Sequence, residues 1–216
     1  GDSTHPLMFE ESSWYSVVYL KQNAELRILR HAKVLDQDRQ PTVVSLLTSV
    51  RAYSTLEYNN TIIIVYALYG DEGGLVHWRR YYRVEGRIEN GSVSIENGIQ
   101  SPSVIQCINN DGGSEITCAI GGHDIYIFSL TITPLSLFLT PTHKPEHYHG
   151  YKNTHLTSLS LTPHMLITKG WRYVDTLHED TYDYSGISLY WRGRGEWTRG
   201  YLSNDLLGME IRNNWY

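Results

Sequence analysis

Apolar residues along this chain fall in short runs rich in Val, Ile, Leu, Tyr and Trp, with Gly, Asn and Asp between them. Such runs, bounded by turn residues, predict β-strands. They cover Trp14–Leu20, Thr42–Val50, Thr61–Tyr69, Leu75–Val84, Arg87–Ile95, Ser103–Ile108, Ser114–Ile120 and Asp124–Thr133. Later runs are His155–Leu161, Met165–Thr168, Trp171–Thr176, Ile187–Trp191 and Met209–Arg212. About a dozen short strands predict an all-β chain, its antiparallel strands forming a barrel or sandwich with long loops. No internal repeat is visible.

Two segments depart from this pattern. Asn23–Leu35 spaces Leu26, Leu29 and Ala32 for a helix face, yet Leu26 and Ile28 equally start a strand, and the β-rich neighbours favour the strand. A short helix or turn is expected at Ser203–Leu207. Thr133–Pro163 holds Pro134, Pro141, Pro145 and Pro163. Proline cannot donate to a sheet ladder, so this stretch reads as edge strands and an excursion loop.

Two hairpins follow from turn chemistry. Asn90-Gly91 inside Arg87–Ile95 has the positive-φ preference of a type I′ turn. A turn at Gly112-Gly113 sets Cys107 opposite Cys118. Directly opposed strand residues are close enough for a disulfide; two buried thiols are the alternative.

The chain of 216 residues is 41% hydrophobic, enough to fill a core, and reads as a single β domain over residues 1–216. A net charge of −5 and the lack of a long basic run argue against nucleic-acid binding. No apolar run approaches the roughly 18 residues of a membrane span. The first residue is not Met, so the chain reads as a processed piece or an excised domain. Two cysteines are too few for a disulfide scaffold or a structural zinc module. Two Asn-x-Ser/Thr triplets occur, Asn59-Asn60-Thr61 and Asn90-Gly91-Ser92.

Candidate chemistry is sparse. Gly1-Asp2-Ser3 and Asp175-Thr176-Leu177-His178 together look like the blocks of GDSL-type esterases, but Ser3 has no strand to hold it beside a base. His143, His147 and His149 around Glu146 have zinc-ligand chemistry without a helical frame, so a solvated or pH-sensitive loop is expected and no metal is assigned. Glu179, Asp180 and Asp183 form a further acidic group. No phosphate or dinucleotide loop is present, and no cofactor is expected.

Clusters of aromatic residues and arginine are stronger. In His77–Tyr82, a strand puts Trp78, Arg80 and Tyr82 on one face and His77, Arg79 and Tyr81 on the other. One face is expected in the core and the other on display. Tyr190–Tyr201 carries Arg194, Trp197 and Tyr201 on a glycine-rich stretch, and Tyr182, Asp183 and Tyr184 lie nearby. Trp, Tyr and Arg are the residues enriched at binding hot spots.

The many short strands, the richness in Tyr, Trp and Gly, and stretches such as Tyr66–Asp71 and Gly170–Val174 resemble the capsid spike (projection) domain of an astrovirus. That resemblance implies a β-barrel core, a two-fold homodimer, and a virion surface facing a host receptor and neutralising antibodies. It implies no enzyme activity, and sequons left unused because such capsids bypass the secretory pathway. Trp197, Arg194, Tyr184 and His147 are then the expected recognition residues. The alternative is a secreted carbohydrate-binding β-sandwich; a hydrolase is the third reading.

Overall fold

The computed structural model describes residues 6–10, 14–33, 40–71, 75–94, 102–109, 113–122, 125–132, 137–143, 154–176, 179–193 and 196–201. Every element among them is a strand. The strands form four sheets of four, each laid down in chain order as an antiparallel meander. The first holds β1 (Leu7–Glu10), β2 (Trp14–Lys21), β3 (Glu25–Ala32) and β4 (Thr42–Leu47). The second holds β5 (Val50–Tyr58), β6 (Thr61–Leu68), β7 (Leu75–Tyr82) and β8 (Ile88–Ser94). The third holds β9 (Val104–Asn109), β10 (Glu115–Gly121), β11 (Ile125–Ile132) and β12 (Leu137–His143). The fourth holds β13 (Thr154–Leu161), β14 (Met165–Thr176), β15 (Glu179–Gly193) and β16 (Glu196–Tyr201), of which β15 and β16 are described by backbone alone.

Consecutive sheets stack face to face, so the chain is all-β and each neighbouring pair makes one sandwich interface. Sequential four-stranded meanders stacked in this way are blades of the propeller type. The parity of β6 shows how the stacking works. Ile62, Ile64 and Tyr66 pack with Val18, Leu26, Ile28 and Leu46 of the first sheet. Ile63, Val65 and Ala67 pack with Ile105, Ile116, Tyr126 and Phe128 of the third. A strand covered on both faces needs apolar residues at both parities, and β6 supplies them as one continuous run. On the far face of the third sheet, Val104, Ala119 and Ile127 meet Leu159, Leu161 and Leu166 of the fourth.

The leading strands of successive sheets are also joined by hydrogen bonds. Cys107 N–H in β9 donates to Ser54 Oγ in β5 at 2.8 Å. Leu161 N–H in β13 donates to Gln106 Oε1 in β9 at 3.1 Å. Cys107 pairs with Cys118 across β9 and β10 and the two are disulfide-bonded, both side chains buried in the interface with the second sheet.

Two local expectations change and one ambiguity resolves to the favoured strand. Thr42–Val50 is two strands: the chain turns at Thr48-Ser49, with Ser49 at φ 58°, and β5 starts at Val50. Asn90-Gly91 is not a turn. It lies inside β8, and the reversal occurs before it, where Gly86 has φ 67° and its N–H donates to Tyr82 O at 2.8 Å. Gly91 serves another purpose: a Cβ there would lie 2.6 Å from the Trp78 indole, so only glycine lets that ring pack flat on β8. The ambiguous Asn23–Leu35 segment contains strand β3, because Leu26 and Ile28 face the second sheet.

Candidate functional site

The His77–Tyr82 cluster lies in β7, in the middle of the stack, and neither of its faces is on display. Trp78 and Arg80 are buried toward the third sheet, while the His77 ring stacks on Tyr66 toward the first. Its polar groups are taken up internally. His77 Nε2 meets Asp71 Oδ2 at 2.6 Å. Arg79 donates to Leu46 O and, at 3.0 Å, to Asn90 Oδ1. Arg80 donates to Thr61 Oγ1 at 3.3 Å, and Arg83 pairs with Glu57. Tyr82 lies beneath the guanidinium groups of both Arg80 and Arg87 and donates to Glu89 at 2.9 Å; burial and that carboxylate raise its pKa. These groups tie the second sheet together and, through Arg79, to the first.

The outer face of the first sheet is different. Cross-strand register aligns Met8 with Val17, Val17 with Leu29, and Leu29 with Val43. Side chains in register on one face are neighbours, so these four make an apolar row across all four strands. Met8 is 66% and Val43 is 49% exposed. On the opposite face, Val18 and Ile28 are fully buried against the second sheet. The signal is in the sequence as adjacent apolar pairs: Val17-Val18, Ile28-Leu29 and Val43-Val44 each send one side chain to each face.

Polar groups border the row on both sides. On one side Glu25 accepts from Arg27 Nη2 at 2.7 Å, with Ser45 and Tyr19 also bonded into the group. On the other side Lys33 Nζ meets Glu10 Oε1 at 2.6 Å and lies 5.2 Å from the centre of the Tyr15 ring. An apolar centre with a polar, mixed-charge rim is the anatomy of a protein interface.

Arg27, then Ser45, hold the Glu25 carboxyl well down, from 4.5 to about 2. A carboxylate with a depressed folded pKa adds stability that is complete above its unfolded pKa. That stability is lost as pH falls from 4.5 toward about 2. We therefore expect the Glu25 carboxyl resonance to titrate with a midpoint near 2, and Arg27→Ala to move it back toward 4.5.

Of the recognition residues expected from sequence, His147 and Arg194 lie outside the described residues. Trp197 stands in β16 at the register position opposite Arg192. Tyr184 lies in β15, where the register with β14 shifts between Gly170 and Arg172. Ser3 and His178 are likewise outside the described residues, and Asp175 pairs with Asp180 across β14 and β15. Among the described residues no group of His, Cys, Asp and Glu converges as a metal site. No helix among them is long and apolar enough to cross a membrane.

No family model and no curated protein matches this chain. Among solved structures it is similar to the N-terminal domain of Nup159, at 11% identity and a TM-score of 0.50, over 90% of this chain and 47% of that one. A S. cerevisiae assembly of Dbp5 bound to Nup159 matches with the same identity and score, over 90% and 46%. An endo-arabinase from Bacteroides thetaiotaomicron matches at 12% identity and a TM-score of 0.43, over 93% and 80%. The chain spans about half the length of the two Nup159 chains, and at this identity the likeness concerns the fold alone.

Proposed function

We propose that this chain is a binding module that works as a homodimer, with the outer face of its first sheet as the dimer contact and its hairpin loops left free for a partner. The observation that carries this reading is the apolar row Met8, Val17, Leu29 and Val43, exposed at Met8 and Val43 and half-buried between them, with its polar rim. The middle of the inner face, at Val18, Leu26 and Ile28, is buried against another sheet of this chain, with Leu7 and Val44 exposed at its edges. A second copy offers the outer face a partner of the same kind. The rim suits a two-fold contact, because each side of the row carries an acid beside a base, Glu25 with Arg27 and Glu10 with Lys33. Trp197 in β16 and Tyr184 in β15, with Arg194 and His147, remain the residues we propose for recognition.

Met8→Asp combined with Val43→Asp tests the contact. Both side chains are exposed, so the fold is expected to survive with an unchanged circular dichroism spectrum. Unpaired carboxylates in the centre of an interface carry a heavy desolvation cost. Self-association measured by sedimentation is expected to weaken by roughly 100-fold or more. Unchanged association in the double variant would remove this face from the contact.

A further inference from the structure

We propose that Asn59 is an N-glycan acceptor site, used when this chain matures in an oxidising, secretory compartment. This goes beyond the dimer reading and uses residues outside that face. Asn59 and Asn60 form the two-residue turn between β5 and β6, closed by the pair Tyr58 and Thr61. Both have positive φ, 43° and 58°, and both are exposed. Asparagine tolerates this left-handed backbone, and two such residues in succession are the chemistry of a tight hairpin. The side chain of Asn59 therefore stands at a hairpin tip, where an attached oligosaccharide extends into solvent without displacing a packed group.

Thr61, the hydroxyl residue of the triplet, is buried in the folded chain, where its Oγ1 donates to Tyr58 O at 2.6 Å. The triplet must therefore be read on the nascent chain before β5 and β6 pair. The second triplet differs. Asn90 lies inside β8, with its Oδ1 held by Arg79 and the Trp78 indole against Gly91.

A second, independent observation points to the same compartment. Cys107 and Cys118 are joined in the core, and disulfides persist where thiols are kept oxidised. Forming that bond takes two electrons and two protons from the thiols, delivered to a disulfide-bearing oxidant of that compartment. In the glycan transfer, Asn59 Nδ2 loses a proton and bonds to the anomeric carbon of an oligosaccharide carried on a lipid diphosphate. The bond from that carbon to the diphosphate oxygen breaks with its electron pair, and the lipid diphosphate leaves, the Asn59 proton passing to the surrounding water.

The test is translation of the full chain, fused to a cleavable leader, into endoplasmic-reticulum microsomes. Protease-protected chains are then sized before and after endoglycosidase treatment. The wild type is expected to show an endoglycosidase-sensitive step that Asn59→Gly abolishes and Asn90→Gln leaves in place. Glycine keeps the positive-φ turn, so loss of the step reports the acceptor and not a broken hairpin. A protected wild-type chain with no sensitive step, or a step that persists in Asn59→Gly, would overturn the proposal.

Discussion

Ile63→Ala and Ile64→Ala each lower the unfolding free energy by about 2–5 kcal/mol, the cost of emptying a packed core position. The two residues are neighbours in β6 and point to opposite faces. In a sheet with one wet face, one of the two substitutions would be nearly neutral. Here both side chains are fully buried, Ile64 between the first and second sheets and Ile63 between the second and third. Urea denaturation of the two variants measures this directly. A loss confined to one of them would mean that one of the two interfaces is open in solution.

Replacing both cysteines, as Cys107→Ala with Cys118→Ala, lowers stability by about 3 kcal/mol through the freed unfolded chain. The bond closes a short loop, with a sequence separation of 11. Both side chains also pack between the second and third sheets, so their truncation adds a core term of the same sign. Denaturation of the reduced wild type isolates the cross-link: it should lose most of what the double variant loses. Equal stability of the reduced and oxidised wild type would show that the cross-link contributes nothing.

Most strands were legible because their cores are simple apolar runs. Thr61–Tyr69 is the clearest, since Ile62–Val65 can fill both faces of a covered sheet. β5 escaped notice because a leading strand need not look apolar. Arg51, Ser54, Thr55 and Glu57 interrupt it, and Ser54 is there to accept the Cys107 N–H. The Asn90-Gly91 signal was strong but misleading: the glycine answers to the Trp78 ring, a tertiary demand that outweighs local turn preference. The fourfold recurrence of the meander left no repeat in the sequence, because stacking requires apolar parity and strand length and not particular residues.

The candidate face was readable only in part. The adjacent pairs Val17-Val18, Ile28-Leu29 and Val43-Val44 say that both faces of the first sheet are apolar. They do not say which face is left uncovered, since that depends on where the second sheet lands. The expectation that β7 displays its arginines failed for the same reason. Arg79 and Arg80 look like surface chemistry until the first sheet supplies Leu46 O and the neighbouring strand β6 supplies Thr61 Oγ1.

Light scattering of the wild-type chain over a wide concentration range tests the central claim most directly. A mass of twice 24.9 kDa, falling toward 24.9 kDa only on dilution, is the predicted result. A mass of 24.9 kDa at every concentration would contradict it, leaving the row from Met8 to Val43 without the second copy assigned to it.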